Sequence, residues 1–143
     1  MNSLVSSIIS LHDVNRVLVF GSSKMDRCFA EHGLDVVSIT HETWEYNHYD
    51  DVAYWYAPLE EYSGEYFYYD RSVLKNIFET VDIPDIIVIN NDLNHEYLVP
   101  LYRFGGVKHI YCVDPSVATK IHEMWDCFRI IRDGNGYVKL RKD

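Results

Sequence analysis

Basic residues are nearly missing from the first half of this chain. Residues 1–70 hold 12 acids and 3 bases, whereas residues 71–143 hold 10 of each, so the whole net charge of −9 sits in the first half. Such a surface repels phosphate backbones and argues against nucleic acid as a partner. The KLRKD end is the only basic element in the neutral half. Solubility alone accounts for the acidity without any cationic partner. Cysteine is sparse as well. Cys28, Cys112 and Cys127 are odd in number and form no framework. That pattern is expected of buried thiols in a reducing, cytoplasmic compartment, with Cys112 filling space inside a strand.

Long apolar runs are absent, and none approaches the roughly 18 residues that a membrane span needs. The segment MNSLVSSIISLHD lacks a basic region and carries serines through its apolar part. It reads as an amphipathic helix rather than a signal peptide, with Leu4, Ile8 and Leu11, joined by Val5 and Ile9, at helical spacing. No G-x-S-x-G elbow, Walker A loop or Cys–His signature occurs, so hydrolase and NTPase chemistry lack a motif. His41, His48 and His95 have no recognised ligand spacing; they read as surface histidines, and no metal is expected.

What remains is 48% apolar and 143 residues long, enough for a single domain over 1–143 with one sizeable core. Val17–Phe20 is a continuous apolar run, as expected of a strand buried on both faces. Gly21, Ser22 and Ser23 follow, then a helix through Cys28–Ala30 that Gly33 ends in a left-handed turn. Val36–Ile39, Val52–Leu59, Ile86–Ile89 and His109–Val113 read as further strands. Asp70 caps a helix with the stripe Val73, Leu74, Ile77, Phe78 and Val81, and Ile83-Pro84 ends it. A helix or pair of turns runs to Phe104, interrupted by Pro100. Asp114-Pro115 opens a helix with the stripe Val117, Ile121, Met124 and Trp125. Phe128–Ile131 and Tyr137–Leu140, around Asp133-Gly134-Asn135-Gly136, make a terminal hairpin. The fold class is therefore α/β: a three-layer, Rossmann-like, mostly parallel twisted sheet closed by a C-terminal antiparallel hairpin.

Five parallel strands, intervening helices and a hairpin that inserts an antiparallel strand resemble the class I S-adenosylmethionine-dependent methyltransferase core, over roughly residues 14–143. Val17-Leu18-Val19-Phe20-Gly21 resembles the start of that family's first motif. Ser38–Glu42 stands at its second strand end, Ala57-Pro58-Leu59 at its third and Asp85–Asn90 at its fourth. Gly105-Gly106-Val107 before His109–Asp114 resembles its turn into the fifth strand, and Phe128–Tyr137 resembles its closing hairpin. The family's first motif carries an acid and then three alternate glycines. Here Val19 holds the acid position, Gly21 the first glycine, and Ser23 and Met25 the next two. The usual second-strand acid aligns with Thr40, two residues before Glu42, and the fourth-strand acid with Asn90.

The resemblance implies S-adenosylmethionine as cofactor, with Gly21, Ser22, Ser23, Thr40, Glu42, Pro58, Leu59 and Asn90 as its contacts and Asp92 as a catalytic base. From the residues alone, the Gly21–Ser23 turn either holds an anion on backbone amides or is a serine-capped connection. Glu42 offers paired acceptors to a ribose diol, or is a solvated acid. Asn90-Asn91-Asp92 touches a substrate, or is a capping turn. The acidic segment Glu60–Asp70 packs in Tyr62, Tyr66, Phe67, Tyr68 and Tyr69. Such density favours a lid, or an interface for a homo-oligomer or protein partner, over simple packing at a sheet edge. Three functions stay open. They are a methyltransferase acting on a small or partner-presented acceptor, a catalytically inactive methyltransferase-like binding or oligomerisation module, and another nucleotide-binding Rossmann protein.

Overall fold

A computed structural model describes residues 3–10, 14–21, 23–41, 49–62, 66–102, 107, 109–132 and 136–142. Ser22, Glu42, His48, Gly105-Gly106 and the 133–135 turn lie outside them, as do most of the 43–51 segment and the side chains of Tyr62, Tyr66 and Phe67.

The apolar runs form the strands β1 (Arg16–Phe20), β2 (Asp35–Thr40), β3 (Val52–Tyr56), β6 (Ile86–Ile89) and β7 (His109–Cys112). A separate pair, β4 (Leu59–Tyr62) and β5 (Tyr66–Tyr69), falls between β3 and β6, and β8 (Phe128–Arg132) and β9 (Val138–Lys142) close the chain. Seven of them make one sheet in the order β3-β2-β1-β6-β7-β9-β8. The pairs from β3 to β7 are parallel. Only β9 runs against the rest, antiparallel to both β7 and β8.

Alternate side chains of β1 enter two different apolar clusters. Leu18 and Phe20 join Leu74, Ile77 and Phe78 of α3 (Arg71–Thr80) and Val117, Ala118 and Ile121 of α5 (Pro115–Met124). Val17 and Val19 join Leu4, Val5 and Ile8 of α1 (Ser3–Ile9) and Met25 and Phe29 of α2 (Lys24–Glu31). A strand sandwiched in this way has no polar face, which is why its sequence does not alternate. Among the described residues no helix is long and apolar enough to cross a membrane.

Several local expectations hold. Asp70 caps α3, accepting from the Val73 amide at 3.1 Å, and Asp114 caps α5 ahead of Pro115. Gly33 sits at φ +81°, just past the end of α2.

Others need correction. The third strand stops at Tyr56 and not at Leu59. The Ala57 amide still reaches the Thr40 carbonyl at 2.9 Å, but Pro58 brings no N–H and the ladder ends there. The segment Glu60–Asp70 is mostly not a loop: β4 and β5 pair antiparallel, and the Asp70 amide closes their base on the Pro58 carbonyl at 2.8 Å. Aromatic side chains favour extended backbone, and that preference wins over the acids beside them. The expected helix or pair of turns toward Phe104 is, among the described residues, a turn at 96–98 and the short helix α4 (Val99–Tyr102), with Pro100 inside the helix rather than interrupting it. Met124, placed in a buried stripe by its spacing, is 45% exposed, because α5 ends there and the stripe has no further turn to continue on. Cys112 is buried as expected, whereas Cys127 is exposed and Cys28 lies between.

Candidate functional site

The carboxyl ends of β1 and β6 meet where the sheet's connections diverge, β1 leading to β2 on one side and β6 lying on the other. In open α/β sheets that is where ligands collect. The two strand ends are tied together. The Asn90 amide donates to the Phe20 carbonyl at 2.8 Å, and Asn90 Nδ2 reaches the Gly21 carbonyl at 3.4 Å. Gly21 is required here twice over. Its φ is +92°, and a Cβ would stand 2.6 Å from the Asn90 carbonyl oxygen.

The described amides of the turn, those of Gly21 and Ser23, are committed. Gly21 donates to the Ile39 carbonyl at 2.8 Å. Ser23 is the N-cap of α2: its Oγ accepts from the Met25 amide at 3.2 Å, while its own amide reaches Asp26 Oδ2 at 3.4 Å. The Asp26 amide bonds the Ser23 carbonyl at 3.2 Å, and Asp26 itself is fully buried. This reciprocal box satisfies the donors that a bound anion would otherwise take. Val19 is fully buried in the cluster under α1 and α2.

The other predicted contacts scatter around this point. Thr40 ends β2 and is nearly buried, Pro58 and Leu59 are half-buried at the hairpin base, Asn90 is half-buried and Asp92 is exposed. The structure brings Gly21 and Asn90 into direct contact.

A group that sequence reasoning missed fills the space beside Phe20. His95, read as a surface histidine, is completely buried. Its ring lies 5.2 Å from that of Phe20 and 5.9 Å from that of Tyr69, and Phe20 and Tyr69 are themselves 5.2 Å apart. Asn91 links the polar atoms. Its Oδ1 lies 2.7 Å from His95 Nε2, and its Nδ2 donates to the Tyr69 hydroxyl at 3.0 Å. Since Nδ2 faces a hydroxyl and Oδ1 also accepts the Leu93 amide at 3.3 Å, Nε2 is the nitrogen that carries the proton. Burial pushes the His95 pKa down to about 3, so the ring is neutral. His41 is half-buried, its ring 6.0 Å from Tyr69 and steeply inclined to it. The sequence signal that pointed here was the spacing Asn91–His95 directly after a buried strand. Among the described residues no group of His, Cys, Asp and Glu could hold a metal ion.

Two open cavities lie elsewhere. One of about 510 Å³ sits at the amino ends of β1, β2 and β3, with Arg16 among Asp35, Asp50, Asp51 and Asp82. It is the far end of the sheet from the switch point, and its Arg16 bridges to Asp35 at 3.9 Å and Asp82 at 3.7 Å are solvent-exposed and weak. The other, of about 420 Å³, lies between α3, α4 and the end of α5.

No protein-family model matches the chain, and comparison with curated proteins gives no match.

Proposed function

We propose that this chain is a methyltransferase-like protein whose Rossmann-like, three-layer fold outlives the usual grip on S-adenosylmethionine, and that it works as a catalytically inactive binding or oligomerisation module. One observation carries the fold part of the reading. The sheet order β3-β2-β1-β6-β7-β9-β8, with a single reversed strand second from the edge, is the arrangement that the class I resemblance implies. The cofactor itself fits poorly. The methionine ammonium would meet Val19, a buried apolar side chain, and its carboxylate would meet amides already held by the Ser23–Asp26 box. The described residues offer no partner for that end of the molecule.

A second reading, an active methyltransferase for a small or partner-presented acceptor, is favoured by Asp92. This exposed acid follows Asn90 at the edge of the same crevice. In that reading Gly21, Ser22, Ser23, Thr40, Glu42, Pro58, Leu59 and Asn90 hold the cofactor. Calorimetric titration with S-adenosylmethionine separates the two. The inactive module gives no heat up to millimolar ligand. Saturable binding, together with transfer of a labelled methyl group that Asp92→Asn abolishes, refutes it in favour of the enzyme.

A further inference from the structure

The 420 Å³ cavity has a composition unlike the rest of the molecule. In a chain with a net charge of −9, its walls contain no carboxylate among the described residues; they hold Arg71, Ser72 and Lys75 on one side and Tyr97, Met124 and Trp125 on the other. Its volume lies within the range of small-molecule sites, about 300–1,000 Å³.

Arg71 and Lys75 stand one turn apart on α3, a spacing at which like charges repel. The ion pairs among the described residues belong to Arg16 and Arg27, and neither Arg71 nor Lys75 takes part in one. Two cations thus share one wall, where an anion between them would offset their mutual repulsion.

Two of the wall groups, Arg71 and Trp125, are also anchored. Arg71 Nη2 donates to the Tyr97 carbonyl at 3.2 Å, and its guanidinium lies over the Tyr68 ring at 5.8 Å. On the other side, Trp125 Nε1 donates to the Glu96 carbonyl at 2.7 Å. Successive carbonyls of one turn therefore anchor a cation and a flat ring across the same opening. Anchoring these two groups lowers the freedom lost on binding. Beside Trp125, Met124 leaves an apolar surface 45% exposed. Thioether and indole together suit a planar apolar body.

We infer that this cavity binds a small organic anion. A flat apolar body lies against Trp125 and Met124, and its carboxylate or phosphate sits between Arg71 and Lys75. The site is separate from the strand-end crevice, and the inference holds whichever reading of that crevice is right.

The test uses the full chain, ¹⁵N-labelled, and follows the Trp125 indole N–H signal, assigned by its loss in Trp125→Phe. The probes are indole-3-propionate, phenyl phosphate and the neutral indole-3-propanamide. At least one anion should shift the signal saturably, with the amide several-fold weaker, the scale of one exposed charge pair. Lys75 is exposed, so Lys75→Gln and Lys75→Glu keep the fold. The first should weaken anion binding several-fold and the second should abolish saturation. Equal binding of acid and amide, or unchanged binding in Lys75→Glu, overturns the proposal. So does a response to neither small anion. A Trp125 shift that only an acidic peptide produces also overturns it and assigns the surface to a protein partner.

Discussion

His95 makes the stability of this protein depend on pH in a way that can be isolated. In the folded chain its pKa is pushed by burial from 6.5 to about 3. In the unfolded chain it returns to about 6.5. Between these values the unfolded state binds the extra proton and the folded state does not. Stability therefore rises with pH from about 3 to about 6.5 and is flat above, and it is lost as the solution is acidified through that window. The slope is at most about 1.4 kcal/mol per pH unit, so moving from pH 7 to pH 5 removes about 2 kcal/mol. Against a total of roughly 5–15 kcal/mol for a domain, that is a measurable share.

The perturbation is His95→Gln. A glutamine amide can still donate toward Asn91 Oδ1, as Nε2 does now at 2.7 Å, but it does not titrate. Urea midpoints followed by circular dichroism at pH 7, 6 and 5 supply the two stability profiles. Carboxylates and the remaining histidines titrate in both proteins and cancel in the difference. At pH 7 the variant is the weaker protein, having lost ring contacts with Phe20 and Tyr69. Its disadvantage should shrink by about 2 kcal/mol by pH 5. Parallel profiles across that range would falsify the burial of a neutral His95.

Two shorter predictions test other points. Gly21→Ala should lower stability by at least about 2 kcal/mol, visible as a fall in Tm, because the new Cβ meets the Asn90 carbonyl at 2.6 Å on a backbone at φ +92°; an unchanged Tm would show that β1 and β6 are not joined this closely. A thiol reagent at pH 8 should modify exposed Cys127 first and Cys28 more slowly, and should reach Cys112 only on unfolding, since burial pushes that thiol up to about 12. Peptide mapping that finds early Cys112 labelling refutes the register of β7.

How much of this was legible in the sequence depended on whether the governing forces were local. Val17–Phe20 and Ile86–Ile89 were plain because strands covered on both faces need apolar residues at every position. The caps at Asp70 and Asp114 were plain because a cap acts within a few residues. His95 was not. Nothing nearby except Asn91 argues for burying an imidazole, and the rest of its environment comes from Phe20 and Tyr69, on other elements. The hairpin β4–β5 was hidden for a related reason. Glu60 faces Tyr68 and Glu61 faces Phe67 in its register, so acids and aromatics lie across from each other and neither strand shows a clean alternation.

The Gly21–Ser23 turn lies between these cases, and it bears most on function. Ser23 followed by Asp26 is a capping pattern, yet the same turn at a strand end is also how α/β proteins hold anions. Sequence spacing cannot choose between them, because both use the same amides. The choice is made by burial. Asp26 is fully enclosed, so its carboxylate stays beside the Ser23 amide instead of yielding that donor to solvent or to a ligand. An incoming carboxylate would have to displace a buried acid of its own charge, a loss of several kcal/mol before any new bond forms. An anion taken up by this chain is therefore better served by Arg71 and Lys75, which form no ion pair among the described residues, than by the turn where the fold resemblance places it.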